Sequence, residues 1–256
     1  MNSVLIDVDD AQLDGAVPRA FAILELLANA PEPARLSAIA QELDMQKSTV
    51  HRILATLTDL GYVEQVPETG CYQSSLKLWE LGAGLIARHP IKRAATPYVQ
   101  KLHAITRETV SLTIMAGDQV LYLDKMVSPR PMPFTSRAGS RLPVPLTAGG
   151  KAMLSLMPDA DAIARRVRER LKDKRLLNLK KLRAELDEAQ RNGYATSRFR
   201  AGVISFGAAI VGHAGEPVAA LSVSAPTTRI NEHKQADIIE QLLGTCAEIA
   251  ENMGSH

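Results

Sequence analysis

Short polar and basic side chains are concentrated between residues 46 and 52, at the start of a segment with helical apolar spacing. Along residues 47–60 the apolar side chains recur three and four positions apart, which leaves the polar ones on the other side. The apolar stripe consists of Val50, Ile53, Leu54, Leu57 and Leu60. Short polar and basic side chains form hydrogen bonds with phosphate oxygens and base edges. We therefore predict a DNA-contacting helix with the contacts Gln46, Lys47, Ser48, Thr49, His51 and Arg52.

A second candidate for chemistry is the small-residue segment 147–151, which precedes the apolar residues 152–154. A loop that leads into a helix N-terminus presents free backbone N–H groups, and these attract an anion. The segment is not a P-loop, because Pro145 stands where that motif needs glycine and Ala152 where it needs serine or threonine. We therefore expect Ala148, Gly149 and Gly150 to receive a carboxylate rather than a nucleotide.

Two serines, Ser222 and Ser224, lie two positions apart in the strand-like segment 219–224. Side chains alternate along a strand, so both hydroxyls share one face with Ala220, while Leu221 and Val223 take the other. Hydroxyls that share a face either line a pocket or meet solvent, and the spacing alone leaves both possibilities open.

Signatures of catalysis and of metal binding are absent from the sequence. The residues available for a hydrolytic site are His103, Asp118, Asp124 and Ser222, but no GxSxG, HExxH or paired metal-ligand spacing accompanies them. Cys71 and Cys246 lack the CxxC spacing of a zinc site and do not form a disulfide framework. We expect no enzyme, no metal and no cofactor.

Three helices and a hairpin are predicted to position the polar face. Apolar spacing predicts a first helix that ends near Asn29, a short second helix over 38–43 that Ser37 caps, a turn at 44–46, and the third helix, which Gly61 ends. Two short strands over 62–66 and 71–74 are joined by turn residues. This order is typical of a winged helix-turn-helix, whose third helix enters the major groove of DNA.

The charge of this segment restricts how it binds DNA. Residues 1–75 contain eleven acidic and four basic residues, a net charge of −7, whereas DNA-binding domains are ordinarily basic. We expect the four cations to share one face, with Arg19 and Arg35 on the flanking phosphates. The alternative is a winged-helix scaffold that binds only protein, and failure to shift any genomic DNA fragment would identify it.

The chain resembles a known family in several ordered motifs. The run VPRAFAILELLANAPEPARLSAIAQELDMQKSTVHRILATLTDLGYVEQ resembles the DNA-binding domain of the IclR family of bacterial transcriptional regulators. RAGSRLPVPLTAGGKAMLS, NGYATSRFRAGVISFGAAIVG and AALSVSAP resemble the effector-domain signatures of that family in the same order. The resemblance implies a GAF-like sheet with helices on its faces, and an effector surrounded by Ser205, Ser222, Ser224 and residues 148–150.

The resemblance also points to the charge of the effector. Many relatives carry acidic residues in the stretch occupied here by Thr196, Ser197, Arg198, Phe199 and Arg200. Cations in this stretch suit an acidic ligand, and Arg137 and Arg198 are weaker candidates for a direct ion pair. We expect a small organic acid, aromatic or keto, to modulate operator binding.

Residues 76–86, which follow the two predicted short strands, are too apolar to form a solvated spacer. The apolar residues are Leu76, Leu78, Trp79, Leu81, Leu85 and Ile86. Packing within the chain and packing against a second copy are both open by this argument. The family resemblance favours a homodimer, with a tetramer as an extension, that places two recognition helices on successive half-sites of double-stranded operator DNA.

These elements predict an α+β protein with a helix between two domains. We expect a winged helix-turn-helix domain over 1–75, a linker helix over 76–90 and a GAF-like effector-binding domain over 91–256. No apolar stretch approaches the roughly 18 residues of a membrane helix, and the acidic N-terminus is the reverse of a basic signal peptide. We expect a cytoplasmic protein without a membrane partner; the N-terminal acidic residues are Asp7, Asp9, Asp10 and Asp14.

Overall fold

The computed structural model describes residues 15–132 and 136–253. It divides into two compact units, with Val8–Ala87 in one and Arg88–His256 in the other. The N-terminal acidic residues 7–14 lie outside the described residues. Within the described residues, no helix combines the length and apolarity needed to cross a bilayer.

The first unit is a winged helix-turn-helix followed by a further helix. Its elements are α1 (Ala16–Asn29), α2 (Leu36–Glu42), α3 (Lys47–Asp59), β1 (Val63–Gln65), β2 (Tyr72–Ser74) and α4 (Lys77–Ala87). The strands β1 and β2 pair antiparallel, with Val63 opposite Ser74. Apolar side chains from α1, α2, α3 and β1 form one core, which includes Ile23, Leu27, Ile39, Val50 and Leu54.

Two details of the predicted helices are wrong. Helix α2 begins at Leu36, and its N-cap is Arg35 rather than Ser37. The reason is long-range, because Ala34 exchanges two backbone hydrogen bonds with Tyr72 and brings the chain out of an extended segment directly into the helix. Leu60 was predicted to join the apolar stripe of α3, but it is 53% exposed, because the helix ends at Asp59 and Gly61 then turns the chain with φ +76°.

Helix α4 has no buried residue. Its apolar side chains project from the chain, and the exposed fractions are 77% for the preceding Leu76, 69% for Trp79, 60% for Leu81 and 66% for Leu85. The packing of its own unit does not cover these side chains.

The second unit combines helices with one antiparallel sheet. Its helices are α5 (Pro90–Thr106), α6 (Ala148–Leu154), α7 (Ala160–Arg170), α8 (Leu179–Asn192) and α9 (Glu232–Met253). Its strands are β3 (Thr109–Ala116), β4 (Gln119–Met126), β5 (Arg141–Pro143), β6 (Tyr194–Ser197), β7 (Val203–Val211) and β8 (Pro217–Pro226). Within the described residues the strand order is β5-β4-β3-β8-β7-β6. The predicted α+β class is confirmed.

Helices cover both faces of the sheet. Helices α5 and α9 pack together against β3, β7 and β8, whereas α6 contacts β6, β7 and β8 and packs against α8. Gly207 in β7 permits the close approach of α6, because a Cβ atom at this position would overlap the backbone of Ala148. Its neighbour Ala208 faces the other way, where its carbonyl oxygen accepts from the Cys246 thiol of α9.

A fully buried carboxylate lies at the start of β3. Glu108 has no exposed surface, and its carboxylate oxygens each lie 2.7 Å from a cationic nitrogen of Arg130, Arg229 or Lys234. The three cations come from the segment after β4, from the turn after β8 and from α9. One carboxylate thus connects parts of the chain that are far apart in sequence.

Candidate functional site

The exposed face of α3 carries the side chains that were predicted to contact DNA. Gln46, Lys47, Ser48, His51 and Arg52 are exposed, and Thr49 is half-buried. The buried residues of the helix are Val50, Ile53, Leu54 and Leu57. The polar and apolar faces are therefore separate, and the polar one extends from the N-terminal turn of the helix.

The turn before α3 sets the direction of this face. Asp44 has a left-handed backbone, with φ +47°, and the Gln46 carbonyl oxygen accepts the Thr49 and Val50 N–H groups at 3.0 and 3.1 Å.

Arg35 is exposed at the N-terminus of α2, and Arg19 is half-buried in α1. All four basic residues of the segment thus lie on helices or at their starts.

A small cavity of about 60 Å³ lies in the second unit, on the face of the sheet that α6 covers. Half of its lining side chains carry hydroxyl groups, which belong to Ser111, Tyr122, Ser136, Thr147, Ser197, Ser205, Ser222 and Ser224. Its apolar lining consists of Met132, Leu142, Leu146, Ala148, Phe199 and Val203. Two cations, Lys125 and Arg200, complete it, and no acidic side chain is found among the described lining residues.

Four serines form the floor of this cavity because the register of three strands aligns them. Ser111 of β3 lies opposite Ser222 of β8, and Ser205 of β7 lies opposite Ser224 of β8. The Oγ atoms of Ser205 and Ser224 are 2.7 Å apart. The floor therefore offers a row of hydroxyls that donate or accept hydrogen bonds, and the two predicted serines of β8 lie within it.

Lys125 reaches the cavity from β4. Its ammonium group donates to the carbonyl oxygen and the hydroxyl of Ser136 at 2.7 and 3.0 Å. Burial lowers the pKa of this lysine from 10.5 to about 8, because desolvation disfavours its charged form. An anion in the cavity would restore the preference for that form.

Arg200 is the second cation of the cavity. Its guanidinium group lies 4.7 Å from the centroid of the Phe199 ring. Burial lowers its pKa, and this shift is partly opposed by Tyr122. Burial in turn raises the pKa of Tyr122, although a hydrogen bond with Ser136 and the charge of Arg200 act in the other direction. Tyr122 is thus a neutral hydroxyl beside two cations.

The segment 147–151 is the first turn of α6 rather than a loop, which corrects the prediction. Thr147 is the N-cap, and its hydroxyl accepts the N–H group of Gly150 at 3.0 Å. A Cβ atom at Gly150 would overlap the carbonyl oxygen of Val144, and one at Gly149 would lie 3.0 Å from the hydroxyl oxygen of Thr113. The two glycines serve close packing, and only Ala148 of the three predicted N–H donors lines the cavity.

Two of the predicted cations lie elsewhere. Arg137 is exposed in the turn before β5, and Arg198 is exposed on a separate, larger cavity. The predicted effector contacts did not include Lys125, Arg200 or Ser111, which line the cavity. Ser111 alternates with apolar residues in β3 and so carried a detectable signal. Lys125 carried none, because only the fold brings β4 to this site.

Comparisons with known proteins agree over both units. Residues 16–67 match the family model described as the IclR helix-turn-helix domain, and residues 83–251 match the model described as bacterial transcriptional regulator IclR C-terminal. The HTH-type transcriptional regulator KdgR of Dickeya chrysanthemi is 30% identical over 248 residues, which cover 94% of this chain and 80% of that protein.

Solved structures share the fold over almost the whole chain. The crystal structure of IclR from Thermotoga maritima is 27% identical with a TM-score of 0.77, and the match covers 93% of this chain and 98% of that one. An IclR homologue from Microbacterium hydrocarbonoxydans, crystallised with 4-hydroxybenzoate, is 21% identical with a TM-score of 0.79, over 94% and 100% of the two chains.

Proposed function

This chain belongs to the IclR family of bacterial transcriptional regulators, and we propose that a compact organic anion in the cavity of its second unit controls how it binds operator DNA as a homodimer. Membership makes it a DNA-binding regulator with a C-terminal effector domain. The observation that carries the proposal is the pair of cations, Lys125 and Arg200, in a cavity without an acidic side chain among its described lining residues.

The exposed face of α3 supports the DNA-binding part of the proposal. The N-terminal residues of a recognition helix meet base edges, and Arg and Thr are suited to such contacts. Arg19 and Arg35 contribute phosphate contacts, which position the domain without reading sequence. The exposed apolar side chains of α4 supply the contact between two copies, and the two recognition helices then reach two half-sites.

Arg52→Ala and Thr49→Ala are each expected to weaken specific DNA binding by about 1–3 kcal/mol, the value of a good base contact. Both variants should melt at the same temperature as the wild type, because neither side chain belongs to the buried core of the unit. Anisotropy titrations with a selected genomic fragment measure the effect. Thr58→Ala, at the far end of the same helix, is the matched control. Unchanged affinity in both variants would mean that α3 does not read the operator.

The size of the cavity favours a compact ligand. Typical ligand pockets measure roughly 300–1,000 Å³, whereas this one measures about 60 Å³. One water-sized group needs about 10–15 Å³ of such a volume. The cavity of about 60 Å³ therefore holds about four to six non-hydrogen atoms. Of the two ligand classes expected, the keto acids include molecules of this size, such as pyruvate, whereas aromatic acids exceed it.

The lining suggests how such an anion is held. Its carboxylate meets Lys125 and Arg200, which are charge-assisted donors and stronger than neutral ones. Its oxo group accepts from the hydroxyls of Ser222 and Ser224 on the floor of the cavity. The 4-hydroxybenzoate bound by the Microbacterium homologue is also a carboxylate, and this supports the charge of the ligand rather than its size.

The pKa of Lys125 leads to a pH-dependent affinity. In the protein without a ligand the pKa of Lys125 is about 8. A bound anion raises this pKa, so anion binding takes up a proton above pH 8. The affinity for pyruvate is expected to fall as the pH rises from 8 to 9, by up to about fivefold for one coupled proton whose pKa is about 8. Calorimetric titrations at pH 7, 8 and 9 measure it.

Lys125→Met is expected to bind pyruvate more weakly and to lose the fall between pH 8 and 9. Lys180→Met, which removes an exposed lysine of α8, is the control and should behave as the unmodified protein does. If the affinity of the wild type for pyruvate stays constant from pH 7 to 9, Lys125 does not contact the bound anion.

A further inference from the structure

A second, larger cavity of about 450 Å³ lies beside the first one. It is bounded by α8 and by β6, the edge strand of the sheet. Its lining includes the apolar side chains of Leu177, Leu182 and Ala189. Its charged residues have both signs and are Lys151, Lys181, Arg198, Glu185 and Glu188. We call it the outer cavity and the 60 Å³ cavity the inner one. The outer cavity is large enough for an aromatic ring, whereas the inner one is not.

Three residues, Leu146, Ser197 and Phe199, line both cavities and therefore separate them. Two of these residues are fixed in the structure. Ser197 is buried at the end of β6, and its hydroxyl donates to the carbonyl oxygen of Leu146 at 2.6 Å. Leu146 is buried as well. The wall thus has a rigid part made of a strand end and a short helical turn.

Phe199 is the part of the wall that lies outside a strand or helix. It follows the end of β6 and is half-buried, and its N–H group donates to the Ser197 hydroxyl at 3.3 Å. Its neighbours in sequence line different cavities, Arg198 the outer one and Arg200 the inner one. Phe199 therefore lies between an exposed cation, Arg198, and a half-buried one, Arg200.

We propose that Phe199 is a specificity-determining residue that restricts the effector site to compact anions. Without its ring the two cavities join, and the body of a larger acid extends into the outer cavity. The carboxylate stays at Lys125 and Arg200, while the ring of the ligand lies against Leu177, Leu182 and Ala189. This inference rests on the proposed function, because it assumes that the inner cavity binds an organic anion.

Pyruvate and phenylpyruvate test the inference as a matched pair, since they share the oxo-acid group and differ by one phenyl ring. Wild-type protein is expected to bind pyruvate at least about tenfold more tightly than phenylpyruvate. Phe199→Ala is expected to bind phenylpyruvate at least about tenfold more tightly than pyruvate, because the added ring buries apolar surface. Calorimetric titration of the full-length protein measures both affinities.

Two further variants control for packing. Phe199→Leu retains an apolar side chain against the core that Phe199 contacts, and an intermediate ratio is expected. Leu176→Ala truncates a side chain that lines only the outer cavity, and it should keep the wild-type preference. Far-ultraviolet circular dichroism confirms that each variant is folded before its titration.

The outcomes separate this inference from the proposed function. Pyruvate binding to the wild type, together with an unchanged ratio in Phe199→Ala and Phe199→Leu, would overturn the role of Phe199 alone. Wild-type protein that binds both acids equally well would overturn it too. If no variant binds either acid, the anion site itself is wrong, and the role of Phe199 is overturned with it.

Discussion

Glu108→Gln is expected to lower the free energy of unfolding by about 3–5 kcal/mol, the usual cost of breaking a buried ion pair from one side. The carboxylate is fully buried and is 2.7 Å from nitrogens of Arg130, Arg229 and Lys234. Glutamine keeps the size of the side chain but removes its charge. Three partly buried cations would then repel one another without a counter-ion, and this is why the expected effect is large.

The same carboxylate makes the stability depend on pH. Burial alone would raise the pKa of Glu108, but hydrogen bonds from Arg229 and Lys234 and the charges of Lys234 and Arg130 outweigh burial and hold the pKa below 4.5. A pKa that is lower in the folded state stabilises that state above the unfolded pKa. This contribution is therefore complete near neutral pH and is lost as the pH falls below about 4.5 through the folded pKa.

Urea denaturation at pH 7 and at pH 4 measures both effects. The difference in stability between wild type and Glu108→Gln should be large at pH 7 and smaller at pH 4. Glu248→Gln, which breaks an exposed pair with Lys101, should change stability by less than about 1 kcal/mol. A loss below 1 kcal/mol for Glu108→Gln at pH 7 would show that the buried cluster adds little to stability.

Leu81→Asp combined with Leu85→Asp is expected to convert the proposed dimer to monomers and to weaken operator binding by about 10²–10⁴-fold. Both side chains are mostly exposed in the single chain, so the unit should still fold. The loss on DNA follows because a dimer delivers its second recognition helix at a high effective concentration. Without the partner, each half-site is bound separately.

Sedimentation velocity and anisotropy titration measure the two effects on the same samples. Glu80→Gln, a polar substitution on the same helix, is the control and should stay dimeric. Wild-type protein that sediments as a monomer at micromolar concentration would contradict the dimer. A double variant that remains dimeric would place the interface outside α4.

The helices and long strands could be predicted because their apolar residues follow regular periods. The apolar stripe of α3 and the alternation along β8 are local patterns, and the structure has both elements close to the predicted bounds. The short edge strands β5 and β6 were missed, because three or four residues are too few for a period. The start of α2 was misplaced, since its position depends on the pairing of Ala34 with Tyr72.

The cavity depends more on tertiary structure than on local pattern. Ser222 and Ser224 could be singled out by alternation, but the cation beside them comes from β4, and the sequence does not reveal which strands are neighbours. Strict alternation would place Arg198 and Arg200 on the same side. The strand β6 ends at Ser197, and the two arginines therefore line different cavities. The end of the strand thus decides which of the two cations lines the inner cavity.

The central claim is that an anion in the second unit controls DNA binding by the first. The most direct test is to select genomic fragments that the full-length protein binds and to measure its affinity for one of them with and without saturating pyruvate. We expect a change of about 5- to 150-fold, the usual range of allosteric coupling, and no change in Arg200→Ala at the same pyruvate concentration. Failure to bind any genomic fragment, or an affinity that does not change while calorimetry records pyruvate binding, would contradict the claim.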